Sequence, residues 1–161
     1  MKWLIGLIFF SFFISIPEIS EIRKLYPTAS NSEASTQDLA NKLADVNYES
    51  NRTLIAYKGA SIAMNAKYSK QIKSKISCLK EGSKLIEFAI LNDPKNIEIH
   101  LIRLSIQENL PKIANYNKNR KEDANFIIQH YKEQPVYLKE YLKSFILQSK
   151  SFTDQEKQSL K

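Results

Sequence analysis

The sequence has one cysteine, Cys78, and that alone excludes an internal disulfide and any zinc site built on cysteines. Its two histidines, His100 and His130, stand apart with no HExxH pattern, and no EF-hand loop occurs, so no motif supplies a metal site. Glycine is scarce, at three residues, and neither a Gly-rich phosphate loop nor a GxSxG elbow is present. Proline is sparse too, at five, and no Asn-Gly or Asp-Gly pair marks a β-hairpin. These shortages favour helices over sheet. Serine, histidine and aspartate all occur, but no spacing joins them into a triad. No catalytic signature and no cofactor motif emerges, and an enzyme is the least favoured functional class.

Acidic residues are the smaller charged group, 17 against 24 basic ones, for a formal charge of +7. Nucleic acid or an anionic membrane would answer to that charge. The lysines are dispersed, however, and a solvated surface accounts for them. Even the densest group, Lys67, Lys70, Lys73 and Lys75, lacks the interleaved exposed aromatics of a nucleic-acid surface. What the chain does hold is apolar content, 43% hydrophobic against 25% charged, over 161 residues. That is enough for one domain with a real core.

Residues 1–20 read as a secretory signal. Lys2 gives the positive start, Trp3 to Ile16 is an almost unbroken apolar run, and Pro17 stops any helix there. The run is shorter than the ~20 residues a spanning helix needs. Ser15 and Ser20 are small, but no Ala-x-Ala-like pair fixes the cleavage site, which falls between about Ser15 and Glu21. An uncleaved anchor is the alternative; no cysteine follows the run, so a lipoprotein anchor is excluded. The expectation is an exported protein, periplasmic or in the cell envelope if the source is a Gram-negative bacterium. Residues 21–161 then form a single helical domain. Export argues against a nucleic-acid partner, and membrane contact is expected only if the N-terminal segment stays uncleaved.

Along that domain, Ile22, Leu25 and Tyr26 form one helical turn that Pro27 ends. Ser30 and Glu33 fit a capping box for a helix reaching about Tyr48, with Leu39, Leu43 and Val46 on one face. Asn51 to about Tyr68 is the next helix, with Gly59, Ala60, Ala63 and Ala66 letting a neighbour approach closely. In the central stretch, Ile72, Ile76, Leu79, Ile86 and Ile90 fall on one stripe, widened by Cys78, Gly82, Leu85 and Ala89. Such breadth implies burial on two sides, with Cys78 a small core residue. Asp93 caps a following helix and Pro94 takes its first position, which gives a helix, a tight turn and a capped helix. Pro111 ends that helix and pushes Leu110 out of the helical region. Lys112 to Lys121 reads as a loop. Glu122 to Glu133 is a helix anchored by Ile127, Ile128 and Tyr131, with Glu122 and Asp123 on its exposed start. Pro135 opens another, with Tyr137, Leu138, Tyr141, Leu142, Phe145 and Ile146 inward, and Thr153 with Glu156 caps a short final helix.

Ala89-Ile90-Leu91-Asn92-Asp93-Pro94-Lys95-Asn96 resembles the end of a tetratricopeptide repeat's second helix and the turn after it. Tyr57-Lys58-Gly59-Ala60 is similar to part of the repeat's first helix, with Gly82 at the small position of the second. The layout also resembles small exported bacterial proteins. The resemblance implies an all-α fold of antiparallel helix hairpins, a TPR-like right-handed stack of about six helices. It also implies a binding module that docks a protein or peptide in a concave groove, without chemistry or cofactor of its own. The alternative is a structural or assembly component held by an uncleaved N-terminal segment.

The candidate partner-binding residues are His100, Arg103 and Gln107. Spaced three and four apart, they share a narrow polar strip on an otherwise apolar helix. As a recognition surface, the strip would hold a carboxylate or a peptide backbone. As structure, Arg103 would pair with an acid of the adjacent helix, Glu81 or Glu87. Glu98 and Ser105 mark a second polar strip.

Overall fold

The computed structural model describes residues 16–110 and 115–160. They form eight α-helices: α1 Ile19–Ala29, α2 Glu33–Lys42, α3 Arg52–Asn65, α4 Ile72–Asn92, α5 Ile97–Asn109, α6 Arg120–His130, α7 Val136–Gln148 and α8 Asp154–Gln158. A 3-10 turn, Tyr131–Glu133, joins α6 to α7. No strand occurs among the described residues. The fold is all-α, as the composition and periodicity predict. No described helix is long and apolar enough to cross a membrane. The apolar run from Trp3 lies almost wholly outside the described residues, as do Pro111 and the start of the loop after it.

The architecture is arranged around α5. Every residue from Ile97 to Gln107 is buried, because α1, α3, α4 and α6 surround it. A helix apolar over most of its circumference has no face to give to water, and the fold puts it in the middle. The α3–α4 pair is the most extensively packed. It crosses at Gly59 and Gly82, where a Cβ on Gly59 would sit 2.5 Å from the carbonyl oxygen of Gly82. The small residues of α3 do what their spacing predicts.

Several boundaries differ from the sequence reading. Pro27 does not end a single turn; α1 runs on to Ala29, with Ile22, Tyr26 and Ala29 buried. Packing of that face outweighs the one hydrogen bond proline forgoes near the helix end. Ser32, not Ser30, caps α2 and accepts from the Ser35 N–H, while Ser30 closes α1. α2 stops at Lys42, though Leu39, Leu43 and Val46 all reach the core. α5 begins at Ile97 with Asn96 as its cap; Asp93 instead accepts from the Asn96 side chain. Leu110 is extended (φ −84°, ψ 144°), as a residue before proline should be. α6 starts at Arg120 and ends at His130. Of the inward set on α7, Leu138, Leu142 and Ile146 are buried, whereas Tyr137 is exposed. The Thr153–Glu156 capping box forms at α8.

The largest correction concerns α4. Its stripe is buried only from Gly82 onward, at Gly82, Ile86, Ala89 and Ile90. α4 has 21 residues and its partner α3 only 14, so the first turns of α4 extend past the end of α3. Ile72 and Ile76 are 76% and 48% exposed, and Cys78 is half-buried rather than a core residue.

Candidate functional site

The polar strip of α5 faces inward. His100, Arg103 and Gln107 are all buried, Arg103 to 3% exposure. They do not front a groove, because α4 and α6 close over them. The partner that closes the strip is Asp123 of α6, which is completely buried. Arg103 Nε donates to Asp123 Oδ2 at 2.8 Å and its Nη2 to Oδ1 at 2.7 Å. Nη1 donates to Glu87 Oε2 of α4 at 3.0 Å. Glu87 is thus one true partner from the sequence reading, and Glu81 is not. Asp123 is the correction: its neighbour Glu122 is exposed at the helix start, but Asp123 lies one turn before Ile127 on the anchor face. That i, i+4 relation to Ile127 is the signal for its burial.

His100 completes the cluster. Its Nδ1 lies 2.7 Å from Asp123 Oδ1 and its Nε2 2.9 Å from the Pro94 carbonyl oxygen. Its ring stacks on Phe126 at 4.0 Å between centroids. Both nitrogens are engaged, so neither is left to act as a base or to bind a metal. Tyr116 donates to Glu87 Oε1 at 2.6 Å and seals the outer edge. Burial works against the Arg103 charge, but the hydrogen bonds and charge of Asp123, with Glu87, hold its pKa above the ordinary value. Burial, reinforced by Glu87, raises that of Tyr116. Gln107 stands apart: neither atom of its amide has a hydrogen-bond partner among the described residues.

The second strip is satisfied in the same manner from the opposite side. Arg23 of α1 grips Glu98 with Nε at 2.9 Å and Nη2 at 2.7 Å, and Tyr57 of α3 donates to Glu98 Oε1 at 2.6 Å. Ser105 and Tyr26 share a hydrogen bond of 2.6 Å. Burial drives the Tyr57 and Tyr26 hydroxyls to ionise later than an ordinary tyrosine. Arg23 and Glu98 lie 75 positions apart, and no local pattern links them.

Beside this second strip the surface is open. A groove of about 490 Å³ runs between α1 and α7, with Leu101, Ser105 and Ile106 of α5 along its floor. Tyr26 and Pro27 form one wall; Tyr141, Ser144, Phe145 and Gln148 form the other. Lys67 and Lys150 stand at its margin. Leu101, Ile106 and Phe145 are its apolar part, while Ser144 and Gln148 present a hydroxyl and an amide, and Glu108 adds a carboxylate to the lining. The sequence reading missed this groove, since its walls come from opposite ends of the chain. Among the described residues no three His, Cys, Asp or Glu side chains converge as a metal would require. No protein-family model, curated protein or solved structure matches the chain.

Proposed function

We propose that the protein is an exported, non-catalytic helical module that binds a protein or peptide partner in the groove between α1 and α7. The observation that carries this reading is the groove itself. Leu101, Ile106 and Phe145 give it an apolar part and its rim carries hydroxyls, an amide and the Glu108 carboxylate, a combination that suits a short extended segment whose side chains bury while its backbone hydrogen-bonds. The floor is set on α5, whose two polar strips are locked to four other helices, so it is rigid before a partner arrives. Rigidity of that kind lowers the ordering cost of association. The resemblance of residues 57–60 and 89–96 to parts of a tetratricopeptide repeat adds a fold-level analogy. Export rests on Lys2 and the apolar run after it.

The test is capture from the envelope fraction of the source organism, with the parent chain beside Ser144→Arg. Ser144 is exposed on the groove wall, so the longer side chain fills the groove without entering the core. The expected result is a specific partner retained by the parent and lost by the variant. Equal capture by both would remove the groove from consideration. Mass spectrometry of the mature protein should show a new N-terminus between about Ser15 and Glu21. An intact Met1 in a cytoplasmic fraction would overturn the exported part of the proposal.

A further inference from the structure

The projecting first turns of α4 carry a surface that the groove does not explain. Every residue from Lys70 to Ser77 is exposed. Ile72 and Ile76 continue the buried stripe of Ile86 and Ile90 outward, past the last turn of α3, into open space. At ~100° per residue, Lys75 flanks that apolar line on one side and Lys73 and Lys80 on the other. From Lys67 to Lys80 there is no acidic residue. No carboxylate lies within salt-bridge distance of Lys70, Lys73, Lys75 or Lys80 among the described residues.

This end of α4 is also poorly built for stability on its own. Its N-cap, Gln71, makes no side-chain cap bond, and its first turn has no acid. Lysines stand where the helix dipole favours carboxylates, and the first N–H groups point outward without side-chain acceptors. Each of these costs disappears if negative charge is supplied from outside.

We propose that this tip rests on an anionic lipid bilayer, with Ile72 and Ile76 entering the acyl boundary and Lys70, Lys73 and Lys75 meeting the headgroups. Charge complementarity selects an anionic occupant, and shape selects a bilayer. The tip is a convex projection exposed on all sides, with no wall against which a partner's side chain could be held. A protein would need a matching cavity. A fluid interface closes around any such projection, with apolar depth beneath and charge at its rim.

A fluorophore that reports local polarity, attached at Gln71→Cys in a Cys78→Ser background, reads the tip alone in the intact chain. That keeps the readout separate from any insertion of the apolar N-terminal run. The expected result is a blue shift on phosphatidylglycerol-containing vesicles and none on pure phosphatidylcholine. Replacing Lys70, Lys73 and Lys75 by glutamine should weaken it about a hundredfold, at roughly fivefold per lysine near a charged surface. Ile72→Ser with Ile76→Ser should abolish the shift while keeping the charge. Both variants should unfold at the parent's urea midpoint, since none of the replaced side chains is buried. A shift of equal size on neutral vesicles would overturn the proposal. So would variants that respond like the parent, a concentration-dependent shift without lipid (a second copy), or the same shift with polyglutamate.

Discussion

Replacing Asp123 by alanine isolates the keystone of the α5 strip. The change removes the acceptor of two Arg103 bonds, at 2.8 and 2.7 Å, and of the His100 contact at 2.7 Å. Arg103 is left 3% exposed, with Glu87 at 3.0 Å and Glu122 at 3.8 Å as its remaining acids. Both acids reach solvent, so neither replaces a fully buried carboxylate. Breaking a buried pair from one side costs roughly 3–5 kcal/mol, because the surviving charge is uncompensated. At about 2–4 °C per kcal/mol for a chain near this size, the midpoint of thermal unfolding should fall by roughly 6–20 °C. Arg103→Ala should cost a similar amount by stranding Asp123. Joint replacement by Arg103→Met and Asp123→Leu should cost clearly less than the sum of the single losses, since neither of these two buried charges is left facing an empty site and Glu87, which also loses Arg103, reaches solvent. Gln107→Leu should run the other way: burying a methyl-branched side chain in place of an amide that has no partner among the described residues recovers roughly 1–3 kcal/mol. Urea unfolding of the four variants supplies all the terms. If Arg103→Ala loses less than about 1 kcal/mol and Gln107→Leu is destabilising, the strip is not a structural device and the inward geometry has been misjudged.

Two further outcomes follow from the packing and the buried tyrosines. Gly59→Ala should destabilise by roughly 1–3 kcal/mol in spite of alanine's better helix propensity, because the new Cβ would sit 2.5 Å from a backbone oxygen that cannot swing away. A neutral or stabilising result in urea unfolding would mean α3 and α4 do not cross there. The hydroxyls of Tyr26, Tyr57, Tyr116 and Tyr141 are all raised, with burial the leading cause in each. Their contribution is fully present below the ordinary tyrosine pKa of about 10 and is lost as pH rises from there toward the folded values. Absorbance of tyrosinate near 295 nm should therefore show a group that ionises only as helical circular dichroism is lost. Complete ionisation of all eight tyrosines in a chain that is still folded would contradict the burial.

The sequence by itself determined the helical class, the cap at Thr153, and the faces of most helices. Those features depend on the hydrogen bonding and side-chain spacing of neighbours within a few residues, which the chain spells out directly. It also determined that Gly59 serves packing and that α5 is buried on most sides. It did not determine which helix covers which. Ile72 and Ile76 have the same spacing as Ile86 and Ile90, yet only the latter pair is buried, because α3 is shorter than α4. Asp123 reads as a helix-start acid beside Glu122 until α6 is laid against α5, when one carboxylate enters the core and the other stays in water. The groove has walls from Tyr26 and Tyr141, brought to one place where Arg23 lies over the Tyr141 ring and the Tyr57 hydroxyl donates to that of Tyr141. Contacts between residues that far apart are set by which surfaces bury the most apolar area with every buried charge paired. That is a property of the whole assembly, and only the tertiary structure decides it.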